Sequence, residues 1–213
     1  CNFKDSIRRV SEHLTANNIN HGCFYGGMEQ KDRERTLIKF RNGTHQLLIA
    51  TDLAARGIDI PSLPLVLISE LSHDPESHLH RIGRTGRAGE EGLALSIVEG
   101  PREQERLETI EEHLGYRIAL GADPKRAGNL GFLQPPNQTI LILSGRKDKL
   151  RKADVLGSLI KDGGIPADAI GQIDLMPKVC AVAIQKDYAH QATQFLRTGR
   201  VKNKRVRVQV LKN

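Results

Sequence analysis

Tryptophan is absent, and the other large aromatics are scarce: three Tyr and five Phe in 213 residues. A core built from this chain must therefore be mostly aliphatic. There are only three cysteines, Cys1, Cys23 and Cys180, and they lie far apart. An odd, scattered set gives neither a disulfide framework nor zinc-ligand spacing, so free thiols in a reducing cytoplasm are expected and no metal site is assigned. No apolar run approaches the roughly 20 residues that span a bilayer, and no signal peptide opens the chain. The opening "CNFKDS" instead reads as the tail of a strand, which gives the expectation of a fragment. Also missing is any G-x-x-x-x-G-K-[ST] phosphate loop.

What is abundant is positive charge, unevenly placed. The formal net charge is +7. Residues 1–135 hold 17 Lys/Arg against 19 Asp/Glu, a balance of −2, and residues 136–213 hold 15 Lys/Arg against six Asp, a balance of +9. A concentrated basic half beside a near-neutral one predicts two units with different roles, the second suited to a polyanion.

The first half alternates helical and strand patterns. "DSIRRVSEHLTAN" has helical spacing of Ile7, Val10 and Leu14, with Asp5 as the expected cap. "QKDRERTLIKFRNG" reads as a second helix closed by Gly43, and "DPESHLHRI" as a third with Asp74 as N-cap and Pro75 at the first position. "PREQERLETIEEHL" is a charged surface helix. "HGCFYGG", "HQLLIAT", "LPLVLISE" and "GLALSIV" are strands, three of them continuously apolar, which predicts a parallel sheet covered by helices on both faces. Residues 116–137 lose both periods and read as a linker. Beyond them "QTILILSG", "KADVLGSLIKDGG", "AIGQIDLM", "VCAVAIQ", "DYAHQATQFLRTG" and "KRVRVQVL" spell β-α-β-β-α-β, a split-βαβ fold, with Asp187 expected to cap its second helix. The expected domains are thus 1–115 and 138–213.

Two stretches carry chemistry. In "HRIGRTGRAG" (80–89) Arg81, Arg84 and Arg87 recur every third residue, in step with Gly83, Gly86 and Gly89. Glycines weaken a helix by roughly 1 kcal/mol each but let backbone approach a ligand. A guanidinium presents a planar fork matched to phosphate oxygens and can stabilise the charge of a phosphoryl group in transfer. "ATDLAARGIDI" (50–60) follows a strand, at the sheet edge where ligands bind in open parallel sheets, and holds Thr51, Asp52, Arg56 and Asp59.

Together with "MEQKDRERTL", which supplies Gln30 and Arg33 in a Q-x-x-R pattern, these segments closely resemble the C-terminal core domain of DEAD-box RNA helicases. The likeness covers residues 1 to about 115. It implies a RecA-like α/β domain in which Arg84 and Arg87 are arginine fingers at the γ-phosphate of ATP. It implies further that Gly57 and Asp59 contact the ribose side of the nucleotide, that Asn2, Gly26, Arg33 and Thr51 hold the RNA backbone, and that Arg56 and His80 couple two core domains. Phe3 stands where that family more often has Thr. The phosphate loop and the magnesium-binding D-E-A-D carboxylates of the family belong to a first core domain. The resemblance therefore implies that ATP and Mg are bound mainly there, and that this chain does not hydrolyse ATP by itself. Arg81 receives no role.

The second half predicts an RRM-like α+β domain, but its middle strands carry no aromatic to stack a base. Its cations cluster instead in two segments, Arg146, Lys147, Lys149, Arg151 and Lys152 in "GRKDKLRK", and Lys202, Lys204, Arg205 and Arg207 in "RVKNKRVR". Both can meet phosphates of a folded RNA. A helicase core followed by this module resembles DbpA-type DEAD-box proteins, which implies binding to a hairpin of large-subunit ribosomal RNA and a part in ribosome assembly. Two rival readings stay open on the residues alone, an RNA tether without activity and a related translocase on DNA.

Overall fold

The computed structural model describes residues 1–55, 60, 63–86, 89–121 and 134–211. The elements run α1 (Lys4–Ala16), β1 (His21–Phe24), α2 (Gln30–Arg41), β2 (Leu47–Ala50), α3 (Asp52–Ala55), β3 (Leu65–Ile68), α4 (Pro75–Ile82), β4 (Leu93–Ser96), α5 (Gly100–Leu114), β5 (Asn137–Ile142), α6 (Lys152–Lys161), β6 (Ile170–Leu175), β7 (Cys180–Gln185), α7 (Lys186–Thr198) and β8 (Val208–Leu211). The expected order of helices and strands is present in both halves. The chain forms two compact units: Cys1–His13, Cys23–Gly27 and Ile49–Asn129 in one, Leu14–Gly22, Met28–Leu48 and Leu130–Asn213 in the other.

In the first unit β3 and β4 pair in parallel, from Leu65 opposite Leu93 to Ile68 opposite Ser96. One face packs on α5, where Ile68, Leu71, Leu107 and Ile110 are buried together and Val66, Ile82 and Val98 close the cluster. The other face differs from the double cover that continuous apolar strands predict. Leu65, Leu67, Leu93 and Leu95 point away from that cluster and are 45–58% exposed, because no described element packs on them. The N-terminus of α4 is as the sequence dictates: Asp74 accepts from the Glu76 and Ser77 amides at 3.4 and 2.9 Å, with Pro75 behind it. Asp5 is not a cap, since α1 already begins at Lys4 and places it in the first turn.

The second unit holds a four-stranded antiparallel sheet in the order β6-β7-β5-β8. This is the split-βαβ arrangement, with strands one and three of the module at its centre. Helices α6 and α7 cover one face through an aliphatic core that includes Ile140, Ile142, Val155, Leu159, Val182, Ile184 and Leu196. Asp187 is not the cap of α7. Strand β7 runs straight into that helix, so Gln185 occupies the cap position and Asp187 falls in the first turn. The final strand is shorter than its alternating pattern, because β5 ends where Ile142 faces Val208, leaving Lys204–Arg207 before β8.

The opposite sheet face is covered from within the same unit. Ile38 of α2 packs on Leu141, Ala181 and Leu211, with Met176 at the edge. The hydroxyls of Thr44 and Thr139 meet at 2.7 Å and both residues are fully buried. Asn137 Nδ2 donates to the Asn42 carbonyl at 3.0 Å, and Arg35 to Gln209 Oε1 at 3.3 Å. Gly43, at φ +69°, turns the chain out of α2 against Asn137 and Pro136, a conformation a side chain would resist. The sheet face that lacks aromatics is therefore packed against aliphatic and hydroxyl side chains.

His45 lies in this packing, with Nδ1 2.8 Å from Asn20 Oδ1 and 5% of its surface exposed. Burial, then the neighbouring Lys39 and His21, push its pKa from 6.5 down to about 4. The folded chain keeps a neutral imidazole while the unfolded chain protonates near 6.5, so the unfolded state takes up the proton first as pH falls. Stability from this group is present above about pH 6.5 and is lost on descending towards pH 4. Urea unfolding at pH 7 and pH 4.5 should show wild type losing about 2 kcal/mol more than a His45→Gln variant. Equal losses would remove His45 as the cause.

Candidate nucleic-acid interface

The two basic segments of the second unit meet at one edge of its sheet. Backbone pairing brings them close first, since Leu143 N–H donates to the Arg207 carbonyl at 2.8 Å. A side chain then ties them, the Lys202 ammonium donating to the Lys149 carbonyl at 2.7 Å. Arg146, Lys147, Lys149, Arg151, Lys152, Lys202, Lys204, Arg205 and Arg207 are all exposed. Two runs about fifty residues apart in sequence thus form one cationic edge.

The first of these loops has a rigid base. Gly145 N–H donates to Asp148 Oδ2 at 2.8 Å, opening a single 3-10 turn over Arg146–Asp148. Arg146 N–H reaches the Met176 carbonyl and Lys147 N–H the Pro177 carbonyl, each at 2.9 Å, so the turn is stitched to the β6–β7 connection. Lys149 ends it in the left-handed region at φ 60°. Asp154 Oδ2 then accepts from Arg151 N–H at 3.0 Å at the start of α6.

In the first unit, four of the residues assigned from sequence, Arg56, Gly57, Asp59 and Arg87, lie outside the described residues. Arg84 follows α4 directly. Its N–H donates to the Arg81 carbonyl at 3.1 Å and its carbonyl accepts from Leu63 N–H at 3.0 Å. The side chain is half-buried. Among the described residues its guanidinium has no hydrogen-bond or ion-pair partner. His80 is exposed on α4, while its neighbour His78, which sequence reasoning passed over, is buried with neither ring nitrogen partnered among the described residues. Thr51 is buried at the end of β2, where its N–H donates to the Phe24 carbonyl at 3.2 Å. Gly26 is exposed after β1, and Arg33 is half-buried on α2 in the other unit.

Arg81 is the residue sequence reasoning missed. Its side chain is 10% exposed and almost every donor is spent inside the protein. Nε and Nη2 fork onto Asp52 Oδ1 and Oδ2 at 2.7 and 2.5 Å, Nη1 donates to the Glu70 carbonyl at 2.6 Å, and Nη2 also reaches Asn2 Oδ1 at 2.5 Å. Asn2 completes the knot, with Nδ2 donating to the Leu71 carbonyl at 3.0 Å and its N–H to Glu70 Oε2 at 2.9 Å. Both ends of the Asn2 amide, assigned from sequence to RNA, are therefore engaged within the protein. One arginine joins the start of the chain, the "ATD" turn, the end of β3 and the helix that Arg84 follows. Burial was the missing signal, since by spacing alone Arg81 looks like another anion ligand.

Comparison with known proteins matches two stretches of the chain to different families. Residues 1–89 match the family described as helicase conserved C-terminal domain, and residues 139–210 match the DbpA RNA binding domain. The ATP-dependent RNA helicase DbpA of Escherichia coli is 40% identical over 212 residues, covering 100% of this chain and 46% of that protein. The chain belongs to the DbpA-type DEAD-box helicases. The DbpA of Bacillus subtilis is 32% identical over 231 residues, covering 98% of this chain and 48% of its own length. This DbpA-type chain thus spans about half the length of the curated relatives it matches. Among solved structures, a DEAD box protein from the hyperthermophile Methanococcus jannaschii aligns with a TM-score of 0.52 and 37% identity, over 55% of this chain and 32% of that one. The RecA-like assignment of the first half rests on that likeness and on the parallel pairing of β3 with β4. Among the described residues of this DbpA-type chain, no helix is long and apolar enough to cross a membrane.

Proposed function

We propose that this chain is the RNA-engaging part of a cytoplasmic ATP-dependent RNA helicase, and that its second unit binds a hairpin of large-subunit ribosomal RNA during ribosome assembly. The observation that best supports RNA binding is the convergence of two basic segments on one edge, tied by Lys202 and Lys149. The sheet face offers no competing site, because it lacks aromatics and packs on Ile38. An exposed cationic edge on a folded turn suits the closely spaced phosphates of a structured RNA.

In this reading the first unit works opposite a first core domain, which holds ATP and Mg. Arg84 fits the phosphate end of that site: it stands at the end of α4 with its backbone pinned to Leu63 and its guanidinium without a partner among the described residues. A fork of donors there would stabilise the equatorial charge of the transferring phosphoryl group. Arg87, Gly57, Asp59 and Arg56 keep the roles the resemblance gives them as part of the same proposal, as do His80, Gly26, Arg33 and Thr51 for interdomain and RNA contacts. The basic edge tethers the core near its target and so raises local concentration.

Two measurements test this. Lys147, Lys149 and Arg151 changed together to alanine should weaken hairpin binding about a hundredfold at low salt and flatten the salt dependence by two to three phosphate contacts. Unchanged affinity would remove these residues from the site. Joined to a first core domain, the protein should show ATP hydrolysis stimulated by the ribosomal hairpin far more than by DNA of equal length, whereas this chain alone should hydrolyse none. Equal stimulation by DNA would favour a DNA translocase instead.

A further inference from the structure

Nine cations line the proposed RNA edge, and eight of them make no side-chain hydrogen bond or ion pair to the described residues. Lys202 is the exception. Its ammonium donates to the Lys149 carbonyl at 2.7 Å and lies 3.4 Å from Asp154 Oδ2. An ammonium has three donors and no acceptor capacity, so most of this one is already committed within the protein.

The backbone around it is also unusual. Val201 and Lys204 exchange N–H···O bonds of 2.9 and 3.1 Å across a two-residue turn. Its central residues, Lys202 and Asn203, lie at φ 52° and 63°. Positive φ at both positions marks a type I′ turn, which ordinarily uses Asn-Gly or Gly-Gly. Facing it, Lys149 sits at φ 60°. Three of the four non-glycine residues with positive φ among the described residues are therefore in these two turns, and Lys149 and Lys202 are joined directly. A side chain in the left-handed region costs free energy that neighbouring contacts must offset. Val201 anchors one turn in the core at 1% exposure, and Gly145 to Leu150 close the other, Leu150 N–H returning to the Gly145 carbonyl at 3.2 Å.

We propose that Lys202 is a positioning residue, a clasp that fixes the 146–151 turn against the 201–207 segment so that their cations meet RNA phosphates preorganised. The proposal rests on the RNA reading above. Lys202 contributes by holding other cations in place, and Asp154, although negative, supports binding because it holds both Lys202 and the Arg151 amide. Holding ligating groups in their bound geometry raises affinity by reducing the ordering that binding demands.

This gives a prediction whose sign separates it from simple electrostatics. In Asp154→Asn the amide oxygen can still accept from Arg151 N–H, but the charge that attracts Lys202 is gone. Removing a negative charge beside a polyanion site should tighten RNA binding. Loss of the clasp should weaken it. The test titrates the ribosomal RNA hairpin against wild type, Asp154→Asn and Lys202→Met at several salt concentrations, and follows hydrogen exchange of the Asp148, Lys149 and Leu150 amides in the RNA-free proteins. Expected are about tenfold weaker binding in Lys202→Met, weaker binding in Asp154→Asn, and faster exchange at those amides in both. Tighter binding by Asp154→Asn overturns the clasp. So does a Lys202→Met variant with unchanged exchange that loses only the salt dependence of one phosphate contact, about 0.7 to 0.9 in the logarithmic slope. Wild type failing to bind the hairpin overturns the RNA reading, while exchange that stays slow in both variants overturns the clasp alone.

Discussion

Arg81→Ala should cost the first unit about 3 kcal/mol or more in urea unfolding. The estimate comes from the fate of the partners. The arginine is 10% exposed, and its removal leaves the Asp52 carboxylate, itself 32% exposed, without the bidentate guanidinium that balances it. Breaking a buried pair from one side costs about 3–5 kcal/mol because the surviving charge remains desolvated. The partial exposure of Asp52 places the effect at the lower end of that range. The Glu70 carbonyl and Asn2 Oδ1 lose their donors in the same step. Arg81→Lys should recover little, since a single ammonium cannot span both Asp52 oxygens, the Glu70 carbonyl and the Asn2 amide from one position. Hydrogen exchange should show the loss at Asn2, Leu71 and Thr51. Exchange at Ile140 and Val182, in the core of the other unit, serves as the internal control. A loss below about 1 kcal/mol, the ordinary worth of a surface ion pair, would mean that the network is not structural.

The contrast between Arg81 and Arg84 shows how much of this protein is legible in its sequence. Local patterns carried well. Asp74–Pro75 starts a helix because the cap and the fixed φ of proline act within one turn. The β-α-β-β-α-β order follows from period and punctuation alone. One-residue questions did not carry: Asp5 and Asp187 have the chemistry of caps, but the strand or loop before each helix delivers the first helical residue earlier. Long-range partnership was out of reach. The three arginines of "HRIGRTGR" are chemically identical, and only the approach of Asp52 and Asn2 makes Arg81 a buried tie while Arg84 stays unpartnered among the described residues. Lys202 likewise reads as one more cation in a basic run until its bond to Lys149 is seen. Ile38 shows the same limit for packing, since its place in an apolar helical stripe says that it is buried but not that Leu141, Ala181 and Leu211 bury it. The missing aromatics on the middle strands agree with a sheet face that is packed on Ile38.

Gly145→Ala should disable the basic edge without removing a single charge. Glycine here is needed for space, not for φ, which is extended at −143°. A Cβ would collide with the Met176 carbonyl oxygen and lie 2.7 Å from the carbonyl carbon and oxygen of Pro177, all backbone atoms with no rotamer to yield. Those two carbonyls are also the acceptors for Arg146 and Lys147 N–H. The methyl can be accommodated only by separating the 145–151 turn from the β6–β7 connection, which breaks both bonds. Overpacking of this kind costs about 1–3 kcal/mol, and each unsatisfied backbone group adds to it. The second unit should therefore unfold at lower urea while retaining its helical content. Hairpin binding should fall by about tenfold, through lost geometry of Arg146, Lys147 and Lys149. Lys149→Gly provides the opposite case. It removes a cation but relieves the left-handed strain at φ 60°, so stability should rise by about 0.5–1 kcal/mol while RNA affinity falls. If both variants shifted stability and affinity in the same direction, the edge would be responding to charge or to folding alone. Opposite signs of the stability change, with affinity falling in each, are what a binding surface built on two strained turns requires.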